Sequence, residues 1–283
     1  MVNSGHRTMR LRLDLVALFV AALCALLLPA ASPAAAKGGS VPVDVELVLA
    51  VDVSFSMDPE EQRLQREGYF EALRSPFVLE AIRRGINGRI AVAYVEWAGS
   101  PSQEIVAGWH VIEDRADVER FIAVIQSKPP KRLSRTSISG VIDFATKMIL
   151  ENDFDGLRQV IDVSGDGTNN QGRIVTVARD DAVAQGITIN GLPILLNKNP
   201  STYRDIDDLD VYFTDCVIGG PGAFMVPIRE RSQFADATRT KLILEISGLT
   251  VPRDVPLIVP AQAREPRVSC TIGERLWQER WGN

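Results

Sequence analysis

Histidine is nearly missing from this chain. Only His6 and His110 occur in 283 residues, too few for a histidine-rich zinc site or for most acid–base designs built on imidazole. Positive charge is short as well. Lys and Arg number 31 against 36 Asp and Glu, a net charge of −5, which argues against a nucleic-acid or anionic-membrane partner. Cysteine occurs three times, as Cys24, Cys216 and Cys270. No internal repeat is present, and the one long apolar run, Leu15 to Leu28, is too short for a comfortable membrane span.

That run sits in a segment with the make-up of a secretory signal, residues 1–36. Arg7, Arg10 and Arg12 form its basic start, Leu15 to Leu28 its apolar middle and Ala34-Ala35-Ala36 its small-residue cleavage site. The Ala/Pro-rich flank favours cleavage over a retained anchor, so the expected location is periplasmic or secreted, with no membrane span left. Cleavage removes three basic residues and one acid, leaving 28 and 35 and a net charge of −7. The 247 residues that remain suffice for one large α/β domain with a full core. Cys216 and Cys270 survive. In an oxidising compartment such a pair suggests one disulfide; the alternative is two free thiols, one of them buried.

Apolar runs alternate with helical patterns. VELVLAVDV (45–53) is almost wholly apolar, as a strand covered on both faces should be. RIAVAYVEWA (89–98), RQVIDVSGD (158–166) and GITINGLPIL (186–195) read likewise, with GAFMVPI (222–228) a weaker sixth strand. EIVAGWHVI (104–112) reads as an edge strand in a hairpin with 89–98. Asp58-Pro59-Glu60-Glu61 has the chemistry of a helix start, and Ser75-Pro76 predicts a break and restart. Further helices are expected at 115–127, 138–151, 172–185 and 229–246. The alternation predicts a doubly wound, mostly parallel sheet with helices on both faces and one antiparallel edge strand over 42–250. Prolines 252, 256, 260 and 266 predict an extended arm over 251–283, whose Trp277 and Trp281 dock on the body and whose Cys270 reaches Cys216.

In open α/β sheets, ligands bind beyond the carboxyl ends of the strands. Asp52, Ser54 and Ser56 lie at such an end, on alternate positions that an extended backbone would point one way. Asp166 closes the 158–166 strand, and Thr136 sits in a loop entering a helix. Two carboxylates and three hydroxyls form a hard-oxygen set, suited to Mg²⁺, Mn²⁺ or Ca²⁺ rather than zinc. Asp52-x-Ser54-x-Ser56 with Thr136 and Asp166 resembles the metal-ion-dependent adhesion site of von Willebrand factor A-like (vWA) domains, over about residues 42–250. With DCVIGGPGAF (215–224), the chain is also similar to a bacterial family of secreted proteins that carry this domain and have no established function.

The resemblance implies metal contact through the hydroxyls of Ser54, Ser56 and Thr136. Asp52 and Asp166 would act largely through bound water or by direct exchange with Thr136. The implied cofactor is a divalent cation, Mg²⁺ foremost, and the implied partner is a protein offering an acidic side chain. Neutral donors leave such an ion electrophilic toward that carboxylate, whereas an all-carboxylate cage would quench the attraction.

The competing expectation is a Mg²⁺-dependent hydrolase of phosphatase type with Asp52 as nucleophile. It lacks the second acid such enzymes want, because Ser54 stands there, and no base or lysine constellation accompanies it. No enzymatic activity is therefore expected. Asp58 reads as a helix cap rather than a ligand, and Asp162 as a hydrogen-bonded structural acid. DVSGDGTNNQGR (162–173) is not a calcium loop, since its twelfth position is Arg173.

Overall fold

The computed structural model describes residues 39–196, 206–249, 259–260 and 266–281. The expected signal segment, 1–36, lies outside them. A seven-stranded sheet organises the rest, in the order β4-β3-β2-β6-β7-β8-β9. Its strands are β2 (Glu46–Asp52), β3 (Ile90–Trp97), β4 (Gln103–Ile112), β6 (Gln159–Gly165), β7 (Thr188–Pro193), β8 (Phe224–Met225) and β9 (Val259–Pro260). The five-strand run from β3 to β8 is parallel, and β4 pairs antiparallel with β3. The tail adds an antiparallel strand that the sequence does not announce, β9 against β8. A separate parallel pair joins β1 (Val41–Val43) to β5 (Phe154–Gly156).

Strand β2 explains the layering. All seven of its residues are buried, and alternate side chains feed opposite faces. Leu47, Leu49 and Val51 enter one core, Val48 and Ala50 the other. The first core is roofed by α1 (Pro59–Arg74), α2 (Pro76–Arg83), α3 (Arg115–Gln126) and α7 (Phe234–Ser247). The second is covered by α4 (Ile138–Leu150), α5 (Val175–Ala184) and α6 (Leu209–Tyr212), which continues as a π-turn through Val217. The α/β doubly wound expectation is met.

Helix starts follow local chemistry. Asp58 caps α1: its Oδ1 accepts the N–H groups of Glu60 and Glu61, both at 2.8 Å, while Glu61 returns a carboxylate to the Asp58 N–H at 2.9 Å. Ser75 closes α1 and caps α2, so Ser75-Pro76 does break the helix. Asp162 is structural as well. It sits in β6 fully buried, 2.6 Å from the Lys241 Nζ of α7, and its other oxygen accepts the Tyr69 hydroxyl at 3.2 Å. Lys241 also pairs with Glu245, and Asn190 of β7 donates to Glu245 at 2.9 Å.

The tail departs from expectation. Pro252 and Pro256 lie outside the described residues, Pro260 belongs to β9, and the expected extended arm ends in a helix, α8 (Ile272–Trp281). The last of the four prolines is Pro266, so nothing after it forbids helical hydrogen bonding. A disulfide joins Cys216, buried in the π-turn, to Cys270 just before α8. Among the described residues, no helix is long and apolar enough to cross a membrane.

Candidate metal centre

Three loops meet beyond the carboxyl ends of β2 and β6. The loop after β2 carries Ser54 and Ser56, the loop before α4 carries Thr136, and the loop after β6 carries Asp166. Backbone bonds tie the first two together: the Phe55 N–H donates to the Leu133 carbonyl at 2.8 Å and the Leu133 N–H to the Val53 carbonyl at 2.9 Å. Asn170 ties the second to the third. Its N–H donates to the Thr136 carbonyl at 2.8 Å, and its Oδ1 accepts the Thr136 N–H at 3.0 Å. Backbone bonds thus hold both junctions, with the Asn170 amide adding a side-chain bond at the second.

Within this frame the side chains form one relay. The oxygens of Ser54 and Ser56 lie 2.7 Å apart, and the Ser56 hydroxyl donates to Asp166 Oδ1 at 2.6 Å. Strand alternation does not produce this alignment. The strand stops at Asp52, and Ser56 is brought round by a turn in which the Met57 N–H reaches the Ser54 carbonyl at 3.1 Å. Asp52 lies beneath, fully buried, with Oδ1 accepting the Ser54 N–H at 2.7 Å. Its Oδ2 is buried without a hydrogen-bond partner. Gly165 makes room for it: a Cβ there would stand 2.8 Å from that oxygen. Burial first, and then the charge of Asp166, push the Asp52 carboxyl up to about 8. Thr136 is buried and lines the same cavity as Ser54 and Ser56, about 320 Å³ in volume.

This donor set fits a small divalent cation. An octahedron with metal–oxygen bonds of about 2.1 Å has neighbouring oxygens roughly 3 Å apart, and the Ser54–Ser56 pair comes within a few tenths of that. The unpartnered Asp52 Oδ2 is a buried acceptor in want of positive charge or a donor. Among the described residues no three His, Cys, Asp or Glu side chains cluster as a metal cage. His110 stays apart on β4, its ring against Phe121 at 5.2 Å.

Sequence reasoning passed over three participants. Asn169 and Asn170 stand in the DVSGDGTNNQGR stretch, and their signal is a pair of amides one residue past the Asp166-Gly167 turn. Arg135 is the third. It has a backbone φ of 74°, positive among non-glycine residues only here within the described chain, and its guanidinium carbon lies 3.4 Å from the Trp277 ring centroid. Trp277 thus docks on the body as expected, and does so at the rim of the site.

The family model described as "Protein of unknown function (DUF1194)" matches residues 42–250. No curated protein matches the sequence. Among solved structures, the pilus adhesin SpaC from Lactobacillus rhamnosus GG is similar with a TM-score of 0.54 at 10% identity, over 75% of this chain and 32% of the adhesin. Proximal thread matrix protein 1 of the mussel byssus gives 0.48 at 15% identity over 74% of this chain and 49% of its own. A von Willebrand factor type A protein from Catenulispora acidiphila gives 0.46 at 14% over 80% and 56%. The chain thus spans about half or less of the first two, and identities this low speak to fold alone. The fold is an open, mostly parallel α/β sheet with helices on both faces, and the chain belongs to the DUF1194 family.

Proposed function

We propose that the mature chain is a secreted or periplasmic binding module that docks an acidic side chain of a protein partner on a divalent cation, Mg²⁺ foremost. Ser54, Ser56 and Thr136 would hold the ion by hydroxyl oxygen, with Asp52 and Asp166 acting through water. The observation that carries this reading is the Ser54–Ser56–Asp166 relay at 2.7 and 2.6 Å above a buried carboxylate oxygen with no partner. When bound, the ion would offer an electrophilic open position to a partner's carboxylate. The protein's part is to fix three neutral donors and to keep the two acids one shell back.

An enzymatic reading gains nothing from this geometry. Asp52 is fully buried beneath Ser54, where an incoming phosphate would not reach it. Isothermal titration of the mature protein with Mg²⁺ tests the proposal against a Ser54→Ala/Ser56→Ala double variant. Saturable heat in the parent and none in the variant is expected. Equal heats in both would sink it.

A further inference from the structure

The cavity above the candidate centre has walls of two kinds. Its floor is polar, formed by Ser54, Ser56 and Thr136, and its sides are Phe55, Arg135, Trp277 and Trp281. The aromatic side comes from the tail. Gly273 at the start of α8 sits so close to the loop after β6 that a Cβ would fall 2.2 Å from the Asn169 carbonyl oxygen. Asn169 Nδ2 donates to Glu274 at 2.7 Å, and the Cys216–Cys270 bridge anchors the segment just before. Trp277 and Trp281 then lie with ring centroids 5.9 Å apart. On the far side Phe55 is 57% exposed, with the Arg132 guanidinium 5.4 Å from its ring.

A large exposed aromatic surface beside polar donors marks a contact surface rather than a core. Arg135 adds the charge. It holds a strained left-handed backbone and stacks on Trp277. No carboxylate among the described residues pairs with it, whereas Arg173 and Arg267 each have an acidic partner. The cleft therefore presents a guanidinium with no acidic partner and the rings of Phe55, Trp277 and Trp281 next to hydroxyls that suit a metal.

Building on the metal-site reading above, we infer that α8 is the second wall of the binding cleft and that the occupant is a peptide segment with an Asp or Glu next to a large apolar residue. The carboxylate takes the metal, with Arg135 as its second anchor. The neighbouring side chain packs between Phe55 and the Trp277–Trp281 pair. The charge complementarity of metal and Arg135 selects the acid, and the rings select its neighbour.

The test starts from a phage-displayed random heptapeptide library, selected in Mg²⁺ on the immobilised, disulfide-intact mature protein. Enrichment of an acid beside an aromatic or branched aliphatic residue is expected. Synthetic copies should lose binding in chelator or when the acid becomes its amide, and should bind Trp277→Ala and Arg135→Gln about tenfold more weakly, the order of a lost cation–π or hot-spot contact. Melting curves report whether each variant folds. Should Trp277→Ala not fold, Trp277→Phe is expected to retain binding while Arg135→Gln weakens it. Selected peptides without the acid–apolar pairing, no enrichment at all, or equal binding to parent, Trp277→Ala and Arg135→Gln would overturn the inference. The Mg²⁺ titration of the parent without peptide judges the metal reading separately.

Discussion

Lowering the pH should weaken Mg²⁺ binding through Asp52. The carboxyl is fully buried, Oδ2 has no partner, and burial together with the Asp166 charge pushes it up to about 8. A cation in the loops above favours the ionised form, so binding below that value must displace a proton. Each pH unit below about 8 then reduces apparent affinity about tenfold, and pH 6 should bind about 100-fold more weakly than pH 8. Without metal the sign is opposite. A folded-state value above the unfolded 3.8 means the native protein holds the extra proton between about pH 4 and 8, so metal-free stability falls as pH rises through that window. The Mg²⁺-induced rise in melting temperature should accordingly be larger at pH 8 than at pH 6. Titration calorimetry in buffers of different ionisation enthalpy counts the proton: close to one released per ion at pH 6, close to none well above pH 8. Asp52→Asn removes the titrating group and should flatten the profile. An affinity independent of pH, with no proton released, would refute this account of Asp52.

Two further outcomes follow from the packing. Cys216 and Cys270 are 54 residues apart in sequence, and closing a loop of that length is worth about 4 kcal/mol in the chain-entropy model. The Cys216→Ala/Cys270→Ala variant should melt lower and expose the tail before α8 to limited proteolysis; an unchanged cleavage pattern would show that non-covalent contacts alone hold it. Lys241 faces two acids, Asp162 and Glu245, with all three side chains buried. Lys241→Met should cost about 3–5 kcal/mol, and more at pH 8 than at pH 5, because Glu245, which burial already pushes up to about 7, must then keep a proton that the unfolded chain releases. Denaturant melts at the two pH values check both claims.

The parallel sheet was legible because its strands are buried on both faces. VELVLAVDV and RIAVAYVEWA can be little else, and Asp58-Pro59-Glu60-Glu61 states its helix start in local hydrogen bonds. Short elements escaped. The pair β1–β5 is three residues per strand, β9 is two, and α6 is four residues before its π-turn. None repeats its period twice, so each depends on what it lies against. Helix α8 escaped for a different reason: the prolines before it dominate the composition of the tail and mask ten helical residues with few apolar positions.

For the site, sequence by itself determined the residue types and the strand ends that carry them: Asp52, Ser54, Ser56, Thr136 and Asp166 are spaced as strand-end loops require. It did so because strand ends and oxygen donors are both local features of the chain. Tertiary structure alone decided that Ser56 meets Asp166 across 110 positions, that Asp52 is buried with one oxygen unpartnered, and that Trp277 reaches Arg135 from the far end of the chain. These depend on which loops the sheet order makes neighbours and on where a disulfide returns the tail. No periodicity encodes either, since both arise from contacts between residues far apart in sequence.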